Sequence, residues 1–139
     1  MDLTKQYPRS PYKKLNGYVM LGRAIDKARA KLKNALGEYI YNCPLDQRVF
    51  EFTGIDADAL LAVVEQSATD DEVVQWIKKN RISRSEVEIR AFNEKLSHLG
   101  PEDEESRTYF EEVRQKVAPN RADLRSWFDL IEADEGRFN

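Results

Sequence analysis

The sequence predicts an all-α protein, and three observations carry that expectation. Apolar residues recur at steps of three and four along most of the chain, and two Ser/Thr-x-x-Glu helix starts stand before such stretches. Six glycines and five prolines in 139 residues, beside 34% charged residues, leave little material for loops. Only "EYIYN", 38–42, alternates in the way a half-buried strand would. The expected architecture is a single compact domain, 1–139, of six or seven helices, with an extended N-terminal arm over 1–16 packed on it.

The arm is predicted from "YPRSP", 7–11, whose two prolines bar a helix and favour extended chain. Leu3, Tyr7, Tyr12 and Leu15 give it apolar groups to bury, which would deliver Arg9 to a fixed place. The first helix is expected over 17–36. Tyr18, Leu21, Ile25, Ala28, Leu32 and Leu36 fall on one side of it, and Gly37 suits a left-handed residue past the last turn. Arg23, Asp26 and Lys27 fall on the opposite side, where solvent is expected. Arg29 projects to the margin of the apolar face, so its guanidinium needs a fixed partner: Glu38, Asp46 or a bound anion.

Pro44 opens a second helix and Gly54 closes it, with Leu45, Val49 and Phe52 inward. Asp56 is the expected N-cap of a third, through "ALLAVVEQS" to about residue 67. "TDDE" pairs Thr69 with Glu72 and "SRSE" pairs Ser83 with Glu86, two capping boxes that start helices near 70–80 and 84–98. Ile82 and Val87 are placed as a hydrophobic staple for the second of these. "LGP", 99–101, stops the chain before a helix at 102–117 with Tyr109, Phe110, Val113 and Val117 inward, and "APN" precedes a last helix at 121–133.

Charge narrows the function classes. The net charge is −3, yet residues 1–48 carry ten Lys/Arg against four Asp/Glu and residues 49–139 carry twelve against twenty-one. A basic N-terminal part suits an anionic ligand, or the acidic half of the same chain or of a second copy. Helices three to five suggest a helix-turn-helix, but Arg84, Arg90 and Lys95 are matched by Glu86, Glu88 and Glu94, so no nucleic acid is expected. The longest aliphatic run, "ALLAVV", is far short of a membrane span, and no apolar leader opens the sequence. One cysteine, Cys43, and one histidine, His98, cannot make a zinc site, and the lone thiol suits a cytoplasmic home. Four acids in "EDEE", 102–105, are explained by a helix N-terminus without any metal. No cofactor is expected.

"GEYIYNCPLDQ", 37–47, concentrates the remaining candidates. Tyr39, Tyr41, Asn42 and Asp46 are a suitable polar lining for a small pocket, or else a connection whose aromatic residues complete a core. Cys43 precedes a helix N-terminus, an environment that activates thiols, but no base is within view. The ligand candidates are therefore Arg9, Arg23, Asp26, Lys27, Arg29, Tyr39, Tyr41, Cys43 and Asp46.

"MDLTKQYPRSP" followed by "GYVMLGRAIDKARAKLKNALGEYIYNCPLDQRVFEFTGIDADAL" resembles an uncharacterised bacterial family catalogued as domain of unknown function 5069. Tyr7 to Pro11, Arg23, Asp26, Lys27, Arg29, Ala30, Gly37, Tyr39, Tyr41, Pro44, Leu45, Asp46 and Gly54 to Asp56 carry the likeness. The resemblance implies a compact bacterial protein and brings no activity, cofactor or partner with it. From the residues, the expectation is a non-enzymatic module binding a small anionic or polar ligand. The alternative is a helical protein-interaction or dimerisation domain, and an enzyme using Cys43 or a tyrosine stands third.

Overall fold

The computed structural model describes residues 1–138, and among them the chain is all-α: seven helices and no strand. They are α1 (Leu21–Leu32), α2 (Pro44–Thr53), α3 (Ala57–Glu65), α4 (Asp70–Asn80), α5 (Glu86–Ser97), α6 (Glu104–Val117) and α7 (Trp127–Asp134). The chain forms two compact units, the first Met1–Ile89 and the second beginning at Arg90, with the boundary inside α5.

In the first unit α1 packs against α2 and α3, and α3 against α4. The first part of the apolar face expected of α1 is buried, with Tyr18, Leu21, Ile25 and Ala28 fully covered, whereas Leu32 is exposed and Leu36 half-buried. The helix is shorter than its periodicity suggests. Met20 stands before it in the left-handed region at φ 71°, and Lys33 and Asn34 (φ 54°) end it before Gly37 is reached. The opposite face of α1 is buried as well, so Arg23, Asp26 and Lys27 are enclosed rather than solvated. Lys27 is covered by residues 40–46, and Arg23 and Asp26 by the N-terminal segment. It is non-helical and lies on α1: Leu3 N–H donates to Ala35 O at 2.9 Å and Met20 N–H to Pro11 O at 2.8 Å. Leu3 is buried in this arrangement, whereas Tyr7 and Tyr12 stay exposed.

The capping signals behave as local chemistry requires. Asp56 accepts from Ala59 N–H, and Thr69 accepts from Glu72 N–H while Glu72 accepts from Ala68 N–H. Gly54 ends α2 at φ 76°, a conformation glycine adopts without cost. The start of α5 differs from expectation. Its box is Ser85 with Glu88, not Ser83 with Glu86. Arg84 is drawn away, its guanidinium 4.3 Å above the Phe52 ring and donating to Phe52 O, and 83–84 stay outside the helix. Val87 is accordingly exposed and makes no staple, while Ile82 covers Gly54.

In the second unit α6 packs against α7. Phe110 meets the Trp127 ring edge-on at 5.3 Å, and Leu124, Phe128 and Leu130 are buried. Asp103 caps α6 through Ser106 N–H, which accounts for the acids of "EDEE". Tyr109, expected inward, is exposed. Ser126 caps α7 through Asp129 N–H, so residues 121–126 form turns and the last helix starts later than its sequence suggests.

Candidate functional site

Every candidate from the sequence lies in the first unit, and the enclosed face of α1 organises them. Gly22 is the residue that lets Arg9 lie against the helix: a β-carbon there would stand 3.2 Å from the guanidinium carbon. Arg9 bonds both oxygens of Asp26, through Nε to Oδ2 at 3.1 Å and Nη2 to Oδ1 at 3.0 Å, and its backbone N–H adds a 2.8 Å bond to Oδ2. The two-pronged geometry fixes orientation as well as charge. Its Nη1 reaches Asp70 Oδ2 at 2.7 Å, and Arg29 Nη1 reaches Asp70 Oδ1 at 2.7 Å. Two arginines and two aspartates thus form one closed charge network from the arm, α1 and the first turn of α4.

The charges in this network hold one another ionised. Burial works against the Arg9 cation, but the hydrogen bonds it donates to Asp26 and Asp70 outweigh it and raise its pKa. Burial likewise works against the Asp70 anion, and the bonds from Arg9 and Arg29 overcome it, holding its carboxyl below the ordinary range. Arg29 was expected to meet Glu38, Asp46 or an anion; it meets Asp70, which no local feature of the sequence nominated as a site residue.

A second pair lies farther along α1. Lys27 Nζ is 2.7 Å from Asp46 Oδ2, with side chains only 3% and 0% exposed. The same ammonium donates to Ile40 O at 3.0 Å and to Cys43 Sγ at 3.3 Å. Asp46 Oδ2 accepts from the backbone N–H groups of Asn42 and Cys43, closing a capping box in which Cys43 is the N-cap of α2. Its Oδ1 is buried and has no hydrogen-bond partner among the described residues.

The segment 38–42 is turn rather than strand, with Asn42 left-handed at φ 64°. Tyr39 is half-buried under the Arg23 guanidinium at 5.5 Å, and Arg23 Nη1 donates to Arg9 O at 3.2 Å. Tyr41 is buried against Phe50, its hydroxyl donating to Ala57 O at 2.7 Å. Burial, then the negative charges of Asp46, Asp58 and Asp56, push its phenol well above the usual tyrosine value. The two tyrosines therefore go to different partners and do not share one pocket wall.

Of the candidate cations, Arg9 and Arg29 keep about a quarter of their side chains exposed, 23% and 24%. Arg29 borders a groove of about 370 Å³ between the end of α1 and the end of α3, with Met1, Leu32, Lys33, Val64, Glu65, Ser67 and Ala68. Among the described residues, no three His, Cys, Asp or Glu side chains come together as a metal site, and no helix is long and apolar enough to cross a membrane.

No curated protein matches the sequence. One family model matches residues 5–137, nearly the whole chain, including the arm that carries Arg9 and the aspartates it binds. The protein therefore belongs to the family described as Domain of unknown function (DUF5069).

Proposed function

We propose that this protein is a binding module for a small anionic ligand, taken up in the groove beside Arg29. The observation that carries this reading is the position of that guanidinium: one nitrogen is held by Asp70 at 2.7 Å while the side chain borders a groove of about 370 Å³. A cation clamped in this way loses little conformational freedom on binding. Lys33 adds a second positive charge at the rim, Leu32, Val64 and Ala68 offer apolar surface, and Glu65 offers an acceptor. That set suits a phosphate or carboxylate on a short organic body bearing a hydroxyl or amine. Arg9, Arg23 and Lys27 are then positioning residues, since their polar atoms are engaged inside the unit.

The test is a thermal-shift screen at low salt with inorganic phosphate, phosphorylated sugars and short dicarboxylates. A ligand at about a hundred times its Kd adds roughly 2.7 kcal/mol, a rise in Tm on the order of 5–10 °C. The rise is expected to vanish in Lys33→Ala and in Arg29→Ala, each measured against its own ligand-free Tm. A flat screen, or a rise that both variants retain, overturns the reading. The runner-up is then a protein-interaction domain, for which the exposed Tyr7, Tyr12 and Ile40 beside the basic arm supply apolar surface.

A further inference from the structure

Lys27 and Cys43 take no part in that groove, and their geometry points to a separate chemistry. A lysine 3% exposed is held 3.3 Å from the chain's one thiol sulfur, with a carboxylate 2.7 Å from the same nitrogen. Cys43 is half-buried, and the Lys27 amine lies against its sulfur. The carboxylate beside them is fully buried with one oxygen lacking any hydrogen-bond partner among the described residues. A buried ion pair already carries a desolvation penalty, and an unpaired oxygen adds to it.

We propose that Lys27 and Cys43 are an oxidation-dependent cross-linking site, joined by a nitrogen–sulfur bond when hydrogen peroxide reaches the thiol. In the first step the peroxide O–O bond breaks, Sγ takes one oxygen to become a sulfenic acid, and water leaves; sulfur loses the two electrons that peroxide gains. In the second, Nζ passes a proton to Asp46 Oδ2 and its lone pair attacks Sγ. The S–O bond breaks, and the departing hydroxide takes a further proton from Nζ and leaves as water. One thiol, one ammonium, one carboxylate and one peroxide become a sulfenamide, a carboxylic acid and two waters. Sulfenic acids condense in this way with backbone nitrogen, and here a side-chain nitrogen is already in contact. Both buried charges disappear together, so neither is left without its partner.

The link would tie the middle of α1 to the N-cap of α2. The experiment treats the full-length protein with one equivalent of hydrogen peroxide and reads intact mass and a tryptic map. The expected product is lighter by two hydrogen atoms, resists trypsin after Lys27, and yields a peptide joining the Lys27 and Cys43 segments that dithiothreitol separates. Cys43→Ser, which keeps a good N-cap residue and whose fold is checked by circular dichroism, is expected to give no such peptide. Sulfinic or sulfonic acid at Cys43, or a disulfide between two chains, with Lys27 still cleaved, overturns the proposal. So does a linked peptide that persists in Cys43→Ser.

Discussion

Replacing Lys27 with methionine tests whether the pair on α1 is as enclosed as it looks. The substitution keeps the length of the side chain and removes its charge. It leaves Asp46, 0% exposed, with its backbone donors but no cation. Losing one member of a buried pair costs about 3–5 kcal/mol, against about 0–1 kcal/mol for an exposed one. With an m-value of about 2 kcal/mol/M, the urea midpoint should fall by roughly 2 M. The assay is equilibrium unfolding followed by Trp76 fluorescence, because α4 belongs to the same unit, with Trp127→Phe in both proteins. Asp46→Asn completes a double-mutant cycle, since its amide oxygen still accepts from Asn42 and Cys43. A coupling energy of about 1–3 kcal/mol is expected. A cost below about 1 kcal/mol for Lys27→Met, with no coupling, would refute the argument that this pair is desolvated.

Two further outcomes are expected. Asp70 has its carboxyl lowered in the folded state, so the stability it contributes is complete above about pH 4 and is lost as pH falls through the lowered value; Asp70→Asn should flatten that part of a urea-midpoint profile taken from about pH 6 to about pH 2. Gly54→Ala imposes φ 76° on a residue with a β-carbon and places that carbon 2.8 Å from the Ile82 side chain, so it should cost about 1–3 kcal/mol in a urea melt; Ile82→Ala should recover the contact part of that cost but not the backbone part.

Local signals were legible and long-range ones were not. Asp56, Thr69 with Glu72, and Gly54 each act within a few residues of themselves, and each stands where the sequence puts it. "SRSEVE" contains two overlapping boxes, and the choice of Ser85 over Ser83 depends on Arg84 meeting Phe52, 32 residues away. The charged face of α1 misleads for the same reason. A helix with Arg23, Asp26 and Lys27 on one side reads as half solvated, because amphipathicity assumes that charges seek water. Here they meet Arg9 and Asp46, neither of which the pattern within α1 can reveal. The candidate residues stand out in the sequence because Arg, Asp and Tyr crowd the N-terminal part. Asp70 was missed because the run "TDDE" is already explained by the capping box.

The Arg9 bond to Asp70 spans 61 positions of sequence, and it changes how the beginning of the chain moves. Terminal segments ordinarily fray at almost no free-energy cost. This one is latched to the first turn of α4 and to a buried carboxylate of α1 at the same time. Detaching it uncovers Asp26 and strips Asp70 of one cation, while loosening α4 takes Asp70 away from both guanidiniums together. The two segments, remote in order of synthesis, are thus expected to open together, with the amide protons of Leu3 and Arg9, bonded to Ala35 O and Asp26 Oδ2, exchanging as slowly as those of a helix when followed by hydrogen exchange.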